Sequence, residues 1–92
     1  MITLDEIEYD HRKNSQNFEK HGIYLTEVIH FEWESSIDKP DDRKNYFENR
    51  RISIGYIKHR LHVLVYVKRL TKIRVISLRK ANNREEKKYA AA

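Results

Sequence analysis

Cysteine is absent from this 92-residue chain, so there is no disulfide framework and no thiolate site, which fits a reducing, cytoplasmic setting. Gly22 and Gly55 are the only glycines, too few for a glycine-rich phosphate loop, so nucleotide hydrolysis is not expected. No serine sits in a nucleophile elbow. Proline occurs once, at Pro40, inside a polar stretch that reads as a loop. No segment approaches the roughly 20 apolar residues of a membrane span. The N-terminus carries Asp5, Glu6, Glu8 and Asp10, unlike the basic start of a signal peptide. His59 and His62 are two apart across an expected turn with no carboxylate cluster near in sequence, so no metal site and no cofactor are expected.

What is present is charge. Charged residues make up 36% of the chain against 39% hydrophobic, which leaves a thin core for a single domain spanning residues 1–92. The closing Ala90-Ala91-Ala92 can be a cloning remnant and carries no argument. The two halves differ in sign. Residues 1–42 hold four Lys/Arg and eleven Asp/Glu, a net of −7, whereas residues 43–92 hold fifteen and three, a net of +12. A basic half of this kind is the footprint of a polyanion-binding surface, and a solvated face is the plain alternative. An RNA cleft would leave the acidic half on the opposite side of the molecule.

Periodicity gives the elements. Leu4 to Tyr9 alternates weakly, as an edge strand does. Asp10 can cap a helix from about His11 to His21, which Gly22 closes. Lys13, Asn17, Lys20 and His21 share one stripe of that helix. Thr26 opens a second short helix with Val28 and Ile29 on its apolar face. Glu34 to Asn45 is a loop. Arg51–Ile57, Leu61–Val67 and Lys72–Ala81 are three strands at hairpin spacing, an antiparallel meander. In the last of them, period two sets Ile73, Val75 and Ser77 against Arg74, Ile76, Leu78 and Lys80. Asn82 or Asn83 then caps a C-terminal helix, with Glu85 or Glu86 completing a capping box. Helices on either side of such a meander make an α+β fold.

These pieces resemble the BrnT family. The resemblance rests on Glu8-Tyr9-Asp10 with Lys13, Asn17 and Lys20-His21-Gly22, on Arg51-Ile52-Ser53-Ile54-Gly55, on Val63-Leu64-Val65-Tyr66, and on Ile73 to Ala81 with Glu85 and Tyr89. It covers about residues 7 to 89. It implies a RelE-like fold, with N-terminal helices packed on an antiparallel sheet of three to four strands and a C-terminal helix. It implies an endoribonuclease toxin of a type II toxin–antitoxin module, which cleaves RNA (mRNA) without a metal and arrests translation. The implied partner is a BrnA-type ribbon-helix-helix antitoxin, through which alone the toxin meets operator DNA. One departure stands out. Where relatives often carry Thr-Glu-Arg after the central strand, this chain reads Val67-Lys68-Arg69, which replaces a carboxylate with a cation and favours the alternative of a non-catalytic RNA-binding or corepressor module.

Metal-independent RNA cleavage needs a base for the 2′-OH, an acid for the leaving 5′-oxygen and fixed cations for the phosphorane charge. Arginine suits the last task, since its planar fork binds two phosphate oxygens and stays charged. Arg51, Arg74 and Arg79 are therefore the candidate clamp. His21 is the candidate acid or base, or else a histidine complementing the helix dipole. Lys20 would add charge beside it. Lys68, Arg69 and Lys80 are candidate RNA-binding cations. Glu85 is either a base or a capping carboxylate, and Tyr89 either stacks on a nucleobase or packs the last helix.

Overall fold

A computed structural model describes residues 2–43 and 48–92. Lys44 and Asn45, the end of the expected loop, lie outside the described residues, as do Tyr46 and Phe47. Among the described residues, five strands form one mixed sheet: β1 (Ile7–Glu8), β2 (Ile37–Pro40), β3 (Arg50–Ile57), β4 (Arg60–Arg69) and β5 (Lys72–Lys80), in the order β1-β5-β4-β3-β2. Helices α1 (His11–His21) and α2 (Asn83–Ala91) complete an α+β fold with a C-terminal helix. The sheet therefore has two strands more than the meander read from periodicity. One is β1, the edge strand expected within Leu4–Tyr9, which a 3-10 turn over Leu4–Glu6 shortens to Ile7–Glu8 and which pairs parallel to β5 through Ile7↔Ile73 and Glu8↔Arg74. The other is β2, antiparallel to β3 in what reads as loop sequence. Its polar composition and terminal proline are those of an edge strand, which periodicity alone cannot separate from a loop.

Local chemistry sets the helix ends. The Asp10 carboxylate accepts from Lys13 N–H, and Gly22 closes α1 at φ +75°. In α2 the Asn82 side chain accepts from Glu85 N–H while Glu85 accepts from Asn82 N–H, a full capping box. The expected helix at Thr26 is instead a 3-10 segment over Leu25–His30. It is short, and its Leu25 and Val28 are wholly buried. The β3–β4 and β4–β5 turns are made without glycine, and Lys58 (φ 58°) and Leu70 (φ 43°) take the left-handed region instead.

The β4–β5 ladder has a bulge opposite Val65 and Tyr66. Val65 pairs with Ser77 and Tyr66 with Val75, so Ile76 is the extra residue. This overturns the face assignment expected from strict alternation. Leu78 faces the same side as Ile73 and Val75, and these three pack in one core with Leu64, Tyr66, Leu25 and Phe31 beneath α1 and the 3-10 segment. Arg74 and Arg79 pair with Val67 and Val63, which are four apart on unbroken β4 and so share the other face. On that second face Leu61, Val63 and Ala81 form a smaller core with Ile52, Ile54, Tyr56 and Tyr89.

Candidate functional site

Across the second face the register places Arg50, Val67 and Arg74 in one row of β3, β4 and β5, and Ile54, Val63 and Arg79 in another. At 3.3–3.4 Å per residue along β4, the two rows stand roughly 13 Å apart, close enough for two long side chains to converge on a group between them. Arg74 is held at one third exposure, with Nη1 3.9 Å from the Glu8 carboxylate on the neighbouring strand. Arg79 is held more tightly. Its Nη1 and Nη2 donate to the two Glu85 oxygens, each at 2.8 Å. The same Glu85 caps α2, so the C-terminal helix fixes the arginine. The pair stabilises both charges: hydrogen bonding to Arg79 is the first cause holding the Glu85 carboxyl below the usual range, and Glu85 raises Arg79 in return. Nη1 also donates to Lys80 O at 3.3 Å, which leaves the second N–H of Nη2 for another acceptor.

Arg51 does not join them. It pairs with Tyr66 and therefore points to the α1 face. There its Nε donates to Asp38 at 2.8 Å, and the same carboxylate accepts from Ser53 Oγ at 2.5 Å and Tyr66 OH at 2.8 Å. Burial works to raise the Asp38 carboxyl, and the hydrogen bonds from Ser53, Arg51 and Tyr66 outweigh it, so the group stays ionised. The arginine in register with Arg74 is Arg50, which sequence reasoning passed over. Only the pairing with β4 decides which of two adjacent arginines faces which way.

His21 ends α1 beside the free edge of β5. Asn17, one turn earlier, serves that edge as a neighbouring strand would. Its Nδ2 donates to Leu78 O at 2.7 Å and to Ile23 O at 2.8 Å, and its Oδ1 accepts from Leu78 N–H at 3.4 Å. The buried amide is thus a clamp between α1 and the sheet, not a member of an exposed polar stripe. Half-buried His21 is pushed below the ordinary imidazole value by burial first, then by the charges of Lys20 and Arg79. It is neutral at pH 7 and able to accept a proton. Lys20 is exposed next to it.

The remaining candidates are dispersed. Lys68 pairs with Ile73 and lines a hollow with Ile2, Trp33 and Tyr66, on the α1 face. A carboxylate at this position would therefore not belong to the Arg74–Arg79 face. Arg69 pairs with Glu48. Lys80 faces the α1 side, opposite His62. Tyr89 packs edge-on against Tyr56, and its OH donates to Ser35 O at 2.6 Å. The acidic half is not confined to the far side: Glu8 stands beside Arg74, and the wholly buried Asp41 side chain holds Arg43, whose charge reaches Arg79 and Glu85. Sign along the chain does not predict sign in space, because β1 returns to the far edge of the sheet.

Residues 9–85 match the family described as the ribonuclease toxin BrnT of type II toxin–antitoxin systems. The chain belongs to the BrnT family. Membership makes it a toxin of the ribonuclease class and implies an antitoxin partner. The match includes α1, the whole of β3, β4 and β5 and the cap of α2, so every arginine described above lies within it. No curated protein matches the chain. Among the described residues no group of three or more His, Cys, Asp or Glu is placed to hold a metal ion, and no helix is long and apolar enough to cross a membrane.

Proposed function

We propose that this chain is itself an active, metal-independent endoribonuclease that cuts mRNA and so inhibits translation in the cytoplasm. The observation that carries this reading is the β5 bulge, which brings Arg74 and Arg79 to one face of a rigid sheet. A scissile phosphate between them meets two fixed cations, one pinned by Glu85, that are already oriented before charge develops in the transition state. His21, neutral and within reach of the Arg79 charge, takes the 2′-OH proton as that oxygen attacks phosphorus, and the Lys20 ammonium beside it gives a proton to the 5′-oxygen as its bond to phosphorus breaks. Arg51 stabilises the fold through Asp38 and stays outside the chemistry. Residues 1–92 act as one toxin domain, and a BrnA-type ribbon-helix-helix antitoxin neutralises it by covering the arginine face.

The test is cleavage of a purified, end-labelled mRNA in EDTA by the parent chain and by His21→Ala and Arg79→Ala. The parent cuts, and each variant loses on the order of 10²-fold in rate, the usual effect of removing one transition-state donor or one acid–base group. A parent that binds RNA and never cuts, even with ribosomes added, replaces this reading with that of a non-catalytic binding or corepressor module.

A further inference from the structure

The opposite side of the sheet carries a second feature that the cleavage chemistry does not use. A groove of about 550 Å³ runs between the end of α1, the 3-10 segment and the β3–β4 hairpin. Its apolar base includes Ile23 and Ile57, the latter buried. One wall is an aromatic stack: Phe18 and Tyr24 lie 4.4 Å apart at 15°, and both stay more than 40% exposed, at 44% and 43%. Their stack is not needed to fill a core, since neither ring belongs to the buried clusters. The rim is basic. Lys58, His59, Arg60 and Lys80 line it, and Glu27 is the one carboxylate among its lining residues.

We propose that this groove binds single-stranded RNA on one side of the cleavage point, with a base adding to the Phe18–Tyr24 stack and phosphates tracking Lys58 and Lys80. Three observations favour RNA over an acidic peptide. A parallel aromatic pair with exposed rings extends naturally by one more planar ring, and base–aromatic stacking needs no particular sequence. Cations around an apolar base with one acid favour a ligand that carries both flat apolar surface and regularly spaced negative charge. Continuity with the arginine face is direct: Arg79 and Lys80 are consecutive on β5, one facing the candidate cleavage face and the other the groove. His21 sits where a strand passing from one face to the other crosses the edge of β5. The proposal rests on the reading that the chain acts on RNA, and it assigns the groove a role in holding substrate, not in the chemical step.

The experiment is fluorescence anisotropy with a labelled 2′-O-methyl RNA decamer, which cannot be cut through a 2′-OH, titrated at several salt concentrations. The parent is compared with Tyr24→Ala and with Lys58→Ala/Lys80→Ala, all exposed positions, and circular dichroism checks that each variant is folded. Tyr24→Ala weakens binding about fivefold or more, the loss expected for one stacked base. The lysine variant makes the slope of log affinity against log salt shallower by about 1.4, for two phosphate contacts. Variants that bind the decamer with parent affinity and parent slope overturn the proposal and leave the groove to a protein partner, as does a parent that binds no RNA. A parent that binds the decamer in this way and yet cuts nothing defeats the ribonuclease reading alone.

Discussion

The two faces of the sheet use the same three strands for different ends. Under α1 the strands contribute Leu64, Tyr66, Ile73, Val75 and Leu78 to a core shared with Leu25, Val28 and Phe31, where the buried Trp33 indole N–H lacks a partner among the described residues and other polar groups are satisfied. Ser53 and Tyr66 meet Asp38, and Asn17 meets the Leu78 backbone. The other face buries less and ends each row in an arginine held by a carboxylate from elsewhere in the chain. Stability is therefore concentrated on one side of the sheet and placed charge on the other. A small charge-rich domain can hold partly desolvated cations only if another surface supplies most of the burial.

The comparison breaks most visibly at Leu64. Leu64→Ala, at a fully buried position on the α1 face, costs about 3 kcal/mol, whereas Ile52→Ala on the arginine face costs about half that; urea midpoints with unchanged slopes measure both. Equal losses would mean that the faces share the burial equally. Asn17→Ala comes next, at about 2 kcal/mol, because the Leu78 N–H and C=O are left inside without partners. Native-state hydrogen exchange at the Leu78 amide reports the same loss locally.

A smaller effect is set by pH. Burial first, then the Arg60 and Lys80 charges, push His62 below the ordinary 6.5, and the hydrogen bond between Nδ1 and Arg60 O at 2.8 Å only partly opposes them. His21 shifts in the same direction. The unfolded chain then takes up protons near pH 6.5 that the folded chain refuses, so stability is full above that value and falls as pH drops below it. The loss amounts to at most about 1.4 kcal/mol per pH unit for each histidine. His62→Asn flattens the fall between pH 7.5 and 5.5, measured by urea midpoint; an unchanged slope in that variant assigns the effect to His21 alone.

Much of this architecture is readable from residue order. Asp10 and Gly22 bound α1, Asn82 with Glu85 opens α2, and the apolar run of β4 marks the centre of the sheet, because caps and hydrophobic runs are local signals. The pairing of β1 with β5 joins residue 7 to residue 73 and leaves no local trace. The bulge does leave one. Apolar residues fall at 73 and 75, then at 76 and 78, and that slip of phase is what one extra residue does to an alternating strand. Without it Arg74 and Arg79, an odd number apart, read as opposite in direction. The choice between Arg50 and Arg51 rests on register with β4, which neither residue's own neighbourhood reveals.

The central claim is that the arginines of one face act in cleavage and that the arginine of the other face only supports the fold. Its most direct test compares the cleavage rate per folded molecule of Arg51→Ala and Arg74→Ala, using urea titrations to correct for the folded fraction. Arg74→Ala loses on the order of 10²-fold or more with stability within about 1 kcal/mol of the parent, since its long, partly exposed contact with Glu8 contributes little. Arg51→Ala loses stability and keeps a rate within a few-fold of the parent. An Arg51→Ala rate as low as that of Arg74→Ala contradicts the division of the sheet into a supporting face and a reacting one.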